Sequence, residues 1–219
     1  MKILIVSEFF SDSKGITFTG GVESRNFYIA KNLAKKHKVT ILTTRLKETK
    51  AKERIFNFDV IRVGKASSYL ANSGNIIQRL MFLVSATKNL ELLEPDVVEG
   101  TNFLTHTAAY VIAKRKKVPV IAWYPDVWLG SWIKNAGLYG FFGEIIERVN
   151  LHLNFDLFVA ISKTTEKKLL KHINKKTDVI PCGVNLKDFN VSTKKTKGKI
   201  ICIARLVSYK NIKHLVLAF

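Results

Sequence analysis

The sequence predicts an α/β fold in which a doubly wound, mostly parallel sheet carries helices on both faces. Short apolar runs rich in β-branched residues alternate with longer segments of helical periodicity, which is typical of βαβ units. The composition, with 47% hydrophobic and 24% charged residues over 219 positions, excludes disordered, collagen-like and coiled-coil chains. No apolar stretch reaches the roughly 18 residues of a membrane span.

Each predicted element follows from the period of its apolar residues. The predicted strands are Lys2–Ser7, Val39–Thr44, Phe58–Val63, Asp96–Glu99, Val118–Tyr124, Leu157–Ile161, Asp178–Pro181 and Lys199–Ala204. The predicted helices are Val22–Lys36, Ile76–Leu93, Leu104–Lys116, Phe141–Asn154, Lys163–Ile173 and Lys210–Phe219. The first run lacks a small-residue cleavage site, so it indicates a strand rather than a signal peptide. Cys182 and Cys202 form no disulfide framework, which favours a reducing, cytoplasmic location.

A change of character near residue 186 predicts a domain boundary. Residues 1–186 form the first domain, and the lysine-rich stretch 187–198 is interpreted as a linker. Residues 199–219 then supply one strand and one helix, the opening unit of a second domain. Because such a unit cannot bury its own apolar surface, we expect it to dock on the first domain or on another chain, which would give a homodimer.

The charge balance is strongly basic. Lys and Arg number 36 against 17 Asp and Glu, a formal net charge of +19 with a pI near 10.0. The excess either reflects a solvated lysine-rich surface or favours nucleic acid, anionic lipid or phosphorylated small molecules. No nucleic-acid-binding module is recognisable, so nucleic acid is not an expected partner. The apolar helix Ile76–Leu93 is either buried against the sheet or placed beside cationic loops at an anionic membrane surface.

The carboxyl ends of the strands are where a parallel sheet holds its ligands. Gly20 and Gly21 directly precede a helix whose free N–H groups suit an anion, although a plain turn would have the same sequence. No G-x-G-x-x-G follows the first strand, so a dinucleotide cofactor is not expected. Glu99 and Asn102 end the fourth strand and are candidate acceptor contacts, as is Glu23 in the helix that follows the glycines.

Aromatic residues cluster after the fifth strand, at Trp123, Tyr124, Trp128 and Trp132. They would form either a platform for a sugar ring, with Trp128 as the candidate contact, or part of the core. Arg205 and Lys210 flank the start of the last helix, where two cations and helix N–H groups could hold a diphosphate. The histidines are scattered without metal-ligand spacing, so no metal is expected.

Four motifs in order, Gly-Gly-Val-Glu, Ile-Ser-Lys, Ile-Pro-Cys-Gly-Val-Asn and Arg-x4-Lys, resemble those of the family-4 glycosyltransferases. The resemblance extends over nearly the whole chain. It implies the GT-B architecture of two Rossmann-like domains, of which this chain has the acceptor-side domain and the first β–α unit of the nucleotide-sugar domain. It also implies a nucleotide diphosphate-sugar donor, a sugar or lipid-linked acceptor, and transfer with retention of configuration and without a metal.

Residue by residue, the resemblance places Gly20 and Gly21 against the donor phosphates and makes Arg205 and Lys210 the cations that grip the diphosphate. Pro125 stands where the family has a histidine, and proline cannot relay a proton. Asp126 is retained as the candidate catalytic residue, binding a sugar or acceptor hydroxyl, or else it caps the next segment. Because the family's donor-binding glutamates belong to the rest of the second domain, the 219-residue form is expected to be inactive.

Two alternatives remain open. A non-catalytic module of the same fold would bind a sugar or a polyanion, and Pro125 at the catalytic position favours it. A sugar-nucleotide epimerase would share the fold but accounts less well for the Gly-Val-Asn and Arg-x4-Lys motifs.

Overall fold

The computed structural model describes residues 1–11, 18, 20–67, 76–88, 93–184, 186, 198–204, 206 and 210–219. The strands are β1 Lys2–Val6, β2 Lys38–Leu46, β3 Lys52–Ile55, β4 Phe58–Ser67, β5 Val97–Gly100, β6 Val120–Tyr124, β7 Leu157–Ala160 and β8 Thr177–Val179. The helices are α1 Gly21–Leu33, α2 Ile76–Lys88, α3 Phe103–Lys116, α4 Trp132–Ala136, α5 Gly140–His152, α6 Lys163–Leu169 and α7 Ile212–Leu217, with a short 3-10 turn at Gly137–Tyr139.

The eight strands form one sheet in the order β3-β4-β2-β1-β5-β6-β7-β8, so the predicted α/β fold is confirmed. Every pairing is parallel except that between β3 and β4. The chain adds strands on one side of β1 as far as β4 and then crosses to β5 on the other side. The boundary between β1 and β5 is therefore the topological switch point of the sheet, where ligands bind in open α/β folds.

Alternation along β1 explains why both faces of the sheet are covered. Ile5 points to the face under α1, where it packs with Phe27 and Ile41. Leu4 and Val6 point to the opposite face, into the larger core beneath α2, α3, α5 and α6. Since successive side chains of a strand point to opposite faces, a continuously apolar strand requires helices on both sides.

Helix α3 lies unusually close to β5. The Asn102 side chain accepts hydrogen bonds from the backbone N–H groups of Leu104 and Thr105, and Thr105 Oγ1 accepts from the N–H of Asn102, completing a capping box. A side chain on Gly100 would place its Cβ 2.9 Å from the His106 Cα. The glycine therefore permits the close contact that sets Asn102 directly over the end of β5.

The antiparallel edge strand β3 was not predicted from the sequence. Its residues read Lys-Glu-Arg-Ile, a polar run without the apolar pattern of a buried strand. Two residues join it to β4, and the first of them, Phe56, adopts φ 50°, a conformation that favours glycine. The missing glycine is why the hairpin carries no sequence signal.

The predicted strand Lys199–Ala204 is wrong: these residues are exposed and form no strand. A strand needs a neighbour for its backbone hydrogen bonds, and no described strand pairs with this segment. The helix of this region is observed, as α7, but Val216 and Phe219 remain exposed. Docking of the unit on the first domain is thus not seen among the described residues, and the domain boundaries and the homodimer stay predictions.

Helix α2 is buried on one side only. Phe82 and Ala86 enter the core, so the predicted burial against the sheet is seen on this side, whereas Ile77, Leu80 and Val84 on the other side are exposed. Among the described residues, no helix has the length and hydropathy to cross a membrane.

Candidate functional site

Polar side chains meet at the switch point of the sheet. Ser7 and Glu8 directly follow β1, and Thr101 and Asn102 directly follow β5, its parallel neighbour. Asn26 reaches this point from α1 and donates one amide hydrogen to Ser7 Oγ at 3.0 Å and another to Thr101 Oγ1 at 3.1 Å. The buried amide is thereby satisfied, and it fixes α1 over the carboxyl ends of both strands.

A nearly buried carboxylate belongs to this polar cluster. Glu8 is 5% exposed; one of its oxygens accepts from Asn102 Nδ2 at 2.9 Å, and the other lies 3.2 Å from Arg79 Nε. An amide and a guanidinium thus hold the carboxylate in a fixed position. Neither Glu8 nor Arg79 was singled out from the sequence. The position of Glu8 just after the first strand was a usable signal, whereas Arg79 arrives from α2 through tertiary packing alone.

The glycine turn before α1 faces open space. Gly20 and Gly21 are exposed, and a Cβ atom built on either would meet no atom within 4 Å. Gly20 has φ −165° and ψ 164°, an extended conformation open to any residue, and its position supplies no side-chain cap for the helix N–H groups. Within the described chain neither backbone strain nor packing requires glycine here. The Glu23 side chain, one turn along, is buried.

Glu99 is engaged inside the domain. Its carboxylate lies 2.7 Å from Arg25 Nη1, and the Arg25 guanidinium in turn lies 4.4 Å from the centre of the Trp123 ring. Burial raises the pKa of Glu99, and the charge and hydrogen bond of Arg25 oppose that rise. Its predicted acceptor contact stays a prediction, because the structure shows the residue held by α1.

The segment between β6 and α4 carries the other predicted contacts. Asp126 is exposed, forms an ion pair with Lys168 at 2.6 Å, and accepts a hydrogen bond from the N–H of Val127. Pro125 is half-buried beside it, and Trp128 is half-buried with its ring 5.0 Å from that of Trp132. Since Trp123, Tyr124 and Trp132 are buried, only Trp128 of the four aromatic residues could offer a ring to a ligand.

Two carboxylates of α5 hold this segment in place. Glu147 accepts the indole N–H of Trp132 at 2.6 Å and the backbone N–H of Trp128 at 3.1 Å. Glu144 accepts the backbone N–H of Gly130 at 2.9 Å. Burial raises the pKa of Glu147 to about 7, against the lowering effect of its hydrogen bonds to Trp132 and Trp128. Neither residue was predicted from the sequence, because nothing local in α5 distinguishes them from ordinary helix surface.

His106 is part of the core. Burial lowers its pKa to about 4, so the imidazole is neutral, and Nε2 donates to the backbone oxygen of Trp123 at 2.9 Å. In the part of the chain that the structure describes, no three His, Cys, Asp or Glu side chains form a group that could hold a metal ion. The expectation of metal-free chemistry stays a prediction.

The diphosphate site predicted at Arg205 and Lys210 stays a prediction. Arg205 lies outside the described residues, and Lys210 is described and exposed.

Two cavities flank the sheet: one of about 470 Å³ at its amino edge, lined by Lys2, Lys38 and Lys52, and one of about 300 Å³ beside α2, lined by Thr44 and Met81. The larger cavity lies at the edge opposite Glu8, away from the polar cluster.

Comparison with known proteins identifies the family of the chain. The sequence model of Glycosyltransferase Family 4 matches residues 19–188, which include the glycine turn, Asn102 and Asp126. The chain belongs to that family. A search of curated protein sequences found no match.

Solved structures share the fold of this family-4 chain at low sequence identity. Sucrose-phosphate synthase of Thermosynechococcus elongatus matches at a TM-score of 0.64 and 17% identity, over 86% of this chain and 49% of that one. HepE of Anabaena, in complex with UDP-glucose, matches at 0.56 and 14%, over 88% and 47%. UGT89C1 of Arabidopsis thaliana, complexed with UDP-L-rhamnose, matches at 0.50 and 12%, over 83% and 52%. The chain spans about half the length of these glycosyltransferases.

Proposed function

We propose that this chain is the acceptor-side part of a retaining glycosyltransferase that uses a nucleotide diphosphate-sugar. The observation that carries the proposal is the cluster of Glu8, Asn26 and Asn102 at the switch point, on the same edge of the sheet as an open glycine turn. The proposal is supported by family membership and by the complexes of HepE with UDP-glucose and of UGT89C1 with UDP-L-rhamnose.

The donor half of the reaction is electrostatic. The bond between the anomeric carbon and the donor phosphate oxygen breaks and leaves its electron pair on that oxygen, a bond from that carbon to the acceptor oxygen forms, and the acceptor proton passes to the departing diphosphate. In this proposal the N–H groups of α1 at Gly20 and Gly21 lie against the phosphates, and Arg205 and Lys210 neutralise the departing nucleoside diphosphate. These cations would take the place of a metal ion.

In the proposal the acceptor binds at the polar cluster of the switch point. Asn102 and Glu8 present an amide and a carboxylate that can orient acceptor hydroxyls, and Trp128 offers part of its ring to a sugar face. Pro125 can neither give nor take a proton, so the polar contact at this position falls to its neighbour Asp126. In the proposal Asp126 leaves its ion pair with Lys168 and contacts the acceptor hydroxyl. The acceptor is a sugar or a lipid-linked sugar, and we place the reaction on the cytoplasmic side.

The 219 residues alone are proposed not to turn over donor. The resemblance assigns the glutamates that hold the donor sugar and ribose to the rest of the nucleotide-sugar domain, so the chain would hold the diphosphate but not orient the sugar. Robust hydrolysis or transfer from UDP-glucose by the 219-residue chain would contradict this part of the proposal.

Calorimetry with UDP and UDP-glucose tests the diphosphate site. We expect Arg205→Ala and Lys210→Ala each to weaken binding about tenfold or more, because each removes charge-assisted hydrogen bonds to phosphate. Lys213→Ala is the matched control, since Lys213 is exposed like Lys210 and lies in the same helix region, and we expect a change within about twofold.

A non-catalytic polyanion-binding module is the second candidate, favoured by Pro125 at the expected position of a histidine. It predicts that Arg205→Ala, Lys210→Ala and Lys213→Ala weaken binding equally, and that heparin binds whereas UDP-glucose does not. That pattern would refute the transferase proposal.

A further inference from the structure

A stretch of α4 and α5 exposes large apolar side chains. We call these residues the apolar face: Ile133, Leu138, Tyr139, Phe141, Phe142, Ile145 and Val149. Leu138 is 87% exposed and Phe142 51%. Scattered surface hydrophobes are ordinary, but this many within so short a segment mark an interaction surface.

Tight packing beneath the face shows that these side chains are not displaced core residues. A Cβ on Gly140 would lie 2.8 Å from the Ile133 backbone nitrogen, and one on Gly143 would lie 2.7 Å from Cζ3 of Trp132. The Trp132 ring is thus pressed into α5, and its indole N–H is bound by Glu147. The interior of this helix pair is already filled, and the apolar face is its outer surface.

A second apolar stripe lies on the same side of the sheet. Helices α2 and α5 both pack against α3, one on each side of it, and α2 exposes Ile77, Leu80, Met81 and Val84. The two stripes belong to one broad helical layer rather than to a groove. Because α2 and α5 both begin at the carboxyl edge of the sheet, the apolar ends of the layer lie at the same edge as Glu8 and Asp126.

The layer is also strongly cationic. Helices α2 and α3 contain no acidic residue, while Lys88, Lys114 and Arg115 near their C-terminal ends are exposed. The two acids of α5, Glu144 and Glu147, accept N–H groups of the segment before α4. The outward charge of the layer is therefore positive, in a chain whose net charge is +19.

We propose that this helical layer binds the surface of an anionic lipid membrane. The apolar face enters the headgroup region, and Lys88, Lys114 and Arg115 contact lipid phosphates. A second copy of the chain fits less well, because two copies packed face to face through this layer would bring two positively charged surfaces together. The proposal does not depend on the transferase function, although it would place the polar cluster of the switch point beside the lipid surface.

Flotation of the 219-residue chain with vesicles tests the proposal. We expect binding to vesicles of phosphatidylcholine and phosphatidylglycerol, and at least about tenfold weaker binding to phosphatidylcholine alone. Phe141→Ser with Phe142→Ser should weaken binding to the anionic vesicles at least about tenfold, since two exposed aromatic rings are lost without disturbing the core. The control Val216→Ser with Phe219→Ser alters apolar residues elsewhere that are even more exposed, and it should change binding less than about twofold.

The electrostatic part has its own matched pair. Lys88→Gln with Lys114→Gln should weaken binding about tenfold, whereas Lys35→Gln with Lys36→Gln, at the end of α1, removes the same charge and should have a smaller effect. Equal effects of both pairs, no binding to anionic vesicles, or binding unchanged by the serine substitutions would each overturn the proposal. The proposal would also be overturned if the chain did not bind vesicles and light scattering detected a dimer that Phe141→Ser with Phe142→Ser dissociates. UDP-glucose binding by the serine variant should be unchanged, which separates failure here from failure of the transferase proposal.

Discussion

Gly143→Ala is expected to destabilise the protein by about 3 kcal/mol. The added Cβ would lie 2.7 Å from Cζ3 of the Trp132 ring, closer than real Cβ atoms approach. The ring cannot swing aside without breaking the hydrogen bond from its indole N–H to Glu147, so α4 and α5 must separate. Urea denaturation followed by far-UV circular dichroism measures the loss.

Gly183→Ala is the matched control for this substitution. A Cβ at Gly183 meets no atom within 4 Å, and we expect a change within about 0.5 kcal/mol. Equal stability of Gly143→Ala and the wild type would show that α4 does not pack on α5 as described, and the rigid apolar face would lose its support.

Glu147→Ala is expected to cost a similar amount, about 3 kcal/mol. The substitution leaves the indole N–H of Trp132 and the backbone N–H of Trp128 without their acceptor in a buried setting. Glu147→Gln retains one acceptor oxygen and should cost about 1 kcal/mol. Urea titration of the three proteins at pH 7 measures the ranking, and an alanine variant as stable as the glutamine variant would contradict the role given to the carboxylate.

The raised pKa of Glu147 also gives its contribution a definite pH dependence. The carboxyl loses its proton near pH 4.5 in the unfolded chain and near 7 in the folded protein, so the folded state holds more protons in between. The contribution of this raised pKa to the free energy of unfolding is complete below pH 4.5 and is lost as the pH rises to 7. The loss is at most about 3 kcal/mol. The difference in unfolding free energy between wild type and Glu147→Gln should therefore shift in favour of the variant across this range. A pH-independent difference would show that the group titrates normally.

The parallel core of the fold was predictable because its strands are buried on both faces. Runs such as Ile3–Val6 and Leu157–Ile161 are continuously apolar, and the structure places strands in both. Elements stabilised by tertiary contacts rather than by their own pattern were missed. The charged strand β3 exists through its pairing with β4, and α4 exists through the seating of Trp132 against Gly143.

The sequence predicted which site residues follow the ends of strands, but not which side chains they would contact. Counting strand ends located Asn102 and Asp126 at the carboxyl edge, because that edge follows from topology alone. The ion pair of Glu99 with Arg25 and that of Glu8 with Arg79 join residues far apart in sequence, and no local spacing encodes them. Arg205 lies outside the described residues, so the diphosphate site remains a prediction from resemblance.

The two edge strands of the sheet determine whether copies of the molecule can associate by strand pairing. On one flank, β3 runs opposite to its neighbour and exposes Lys52 and Arg54; on the other, β8 spans only Thr177–Val179. A charged border and a very short border both discourage an incoming strand from another molecule. The sheet is therefore guarded against edge-to-edge growth, and we expect self-association, where it occurs, to proceed through helices.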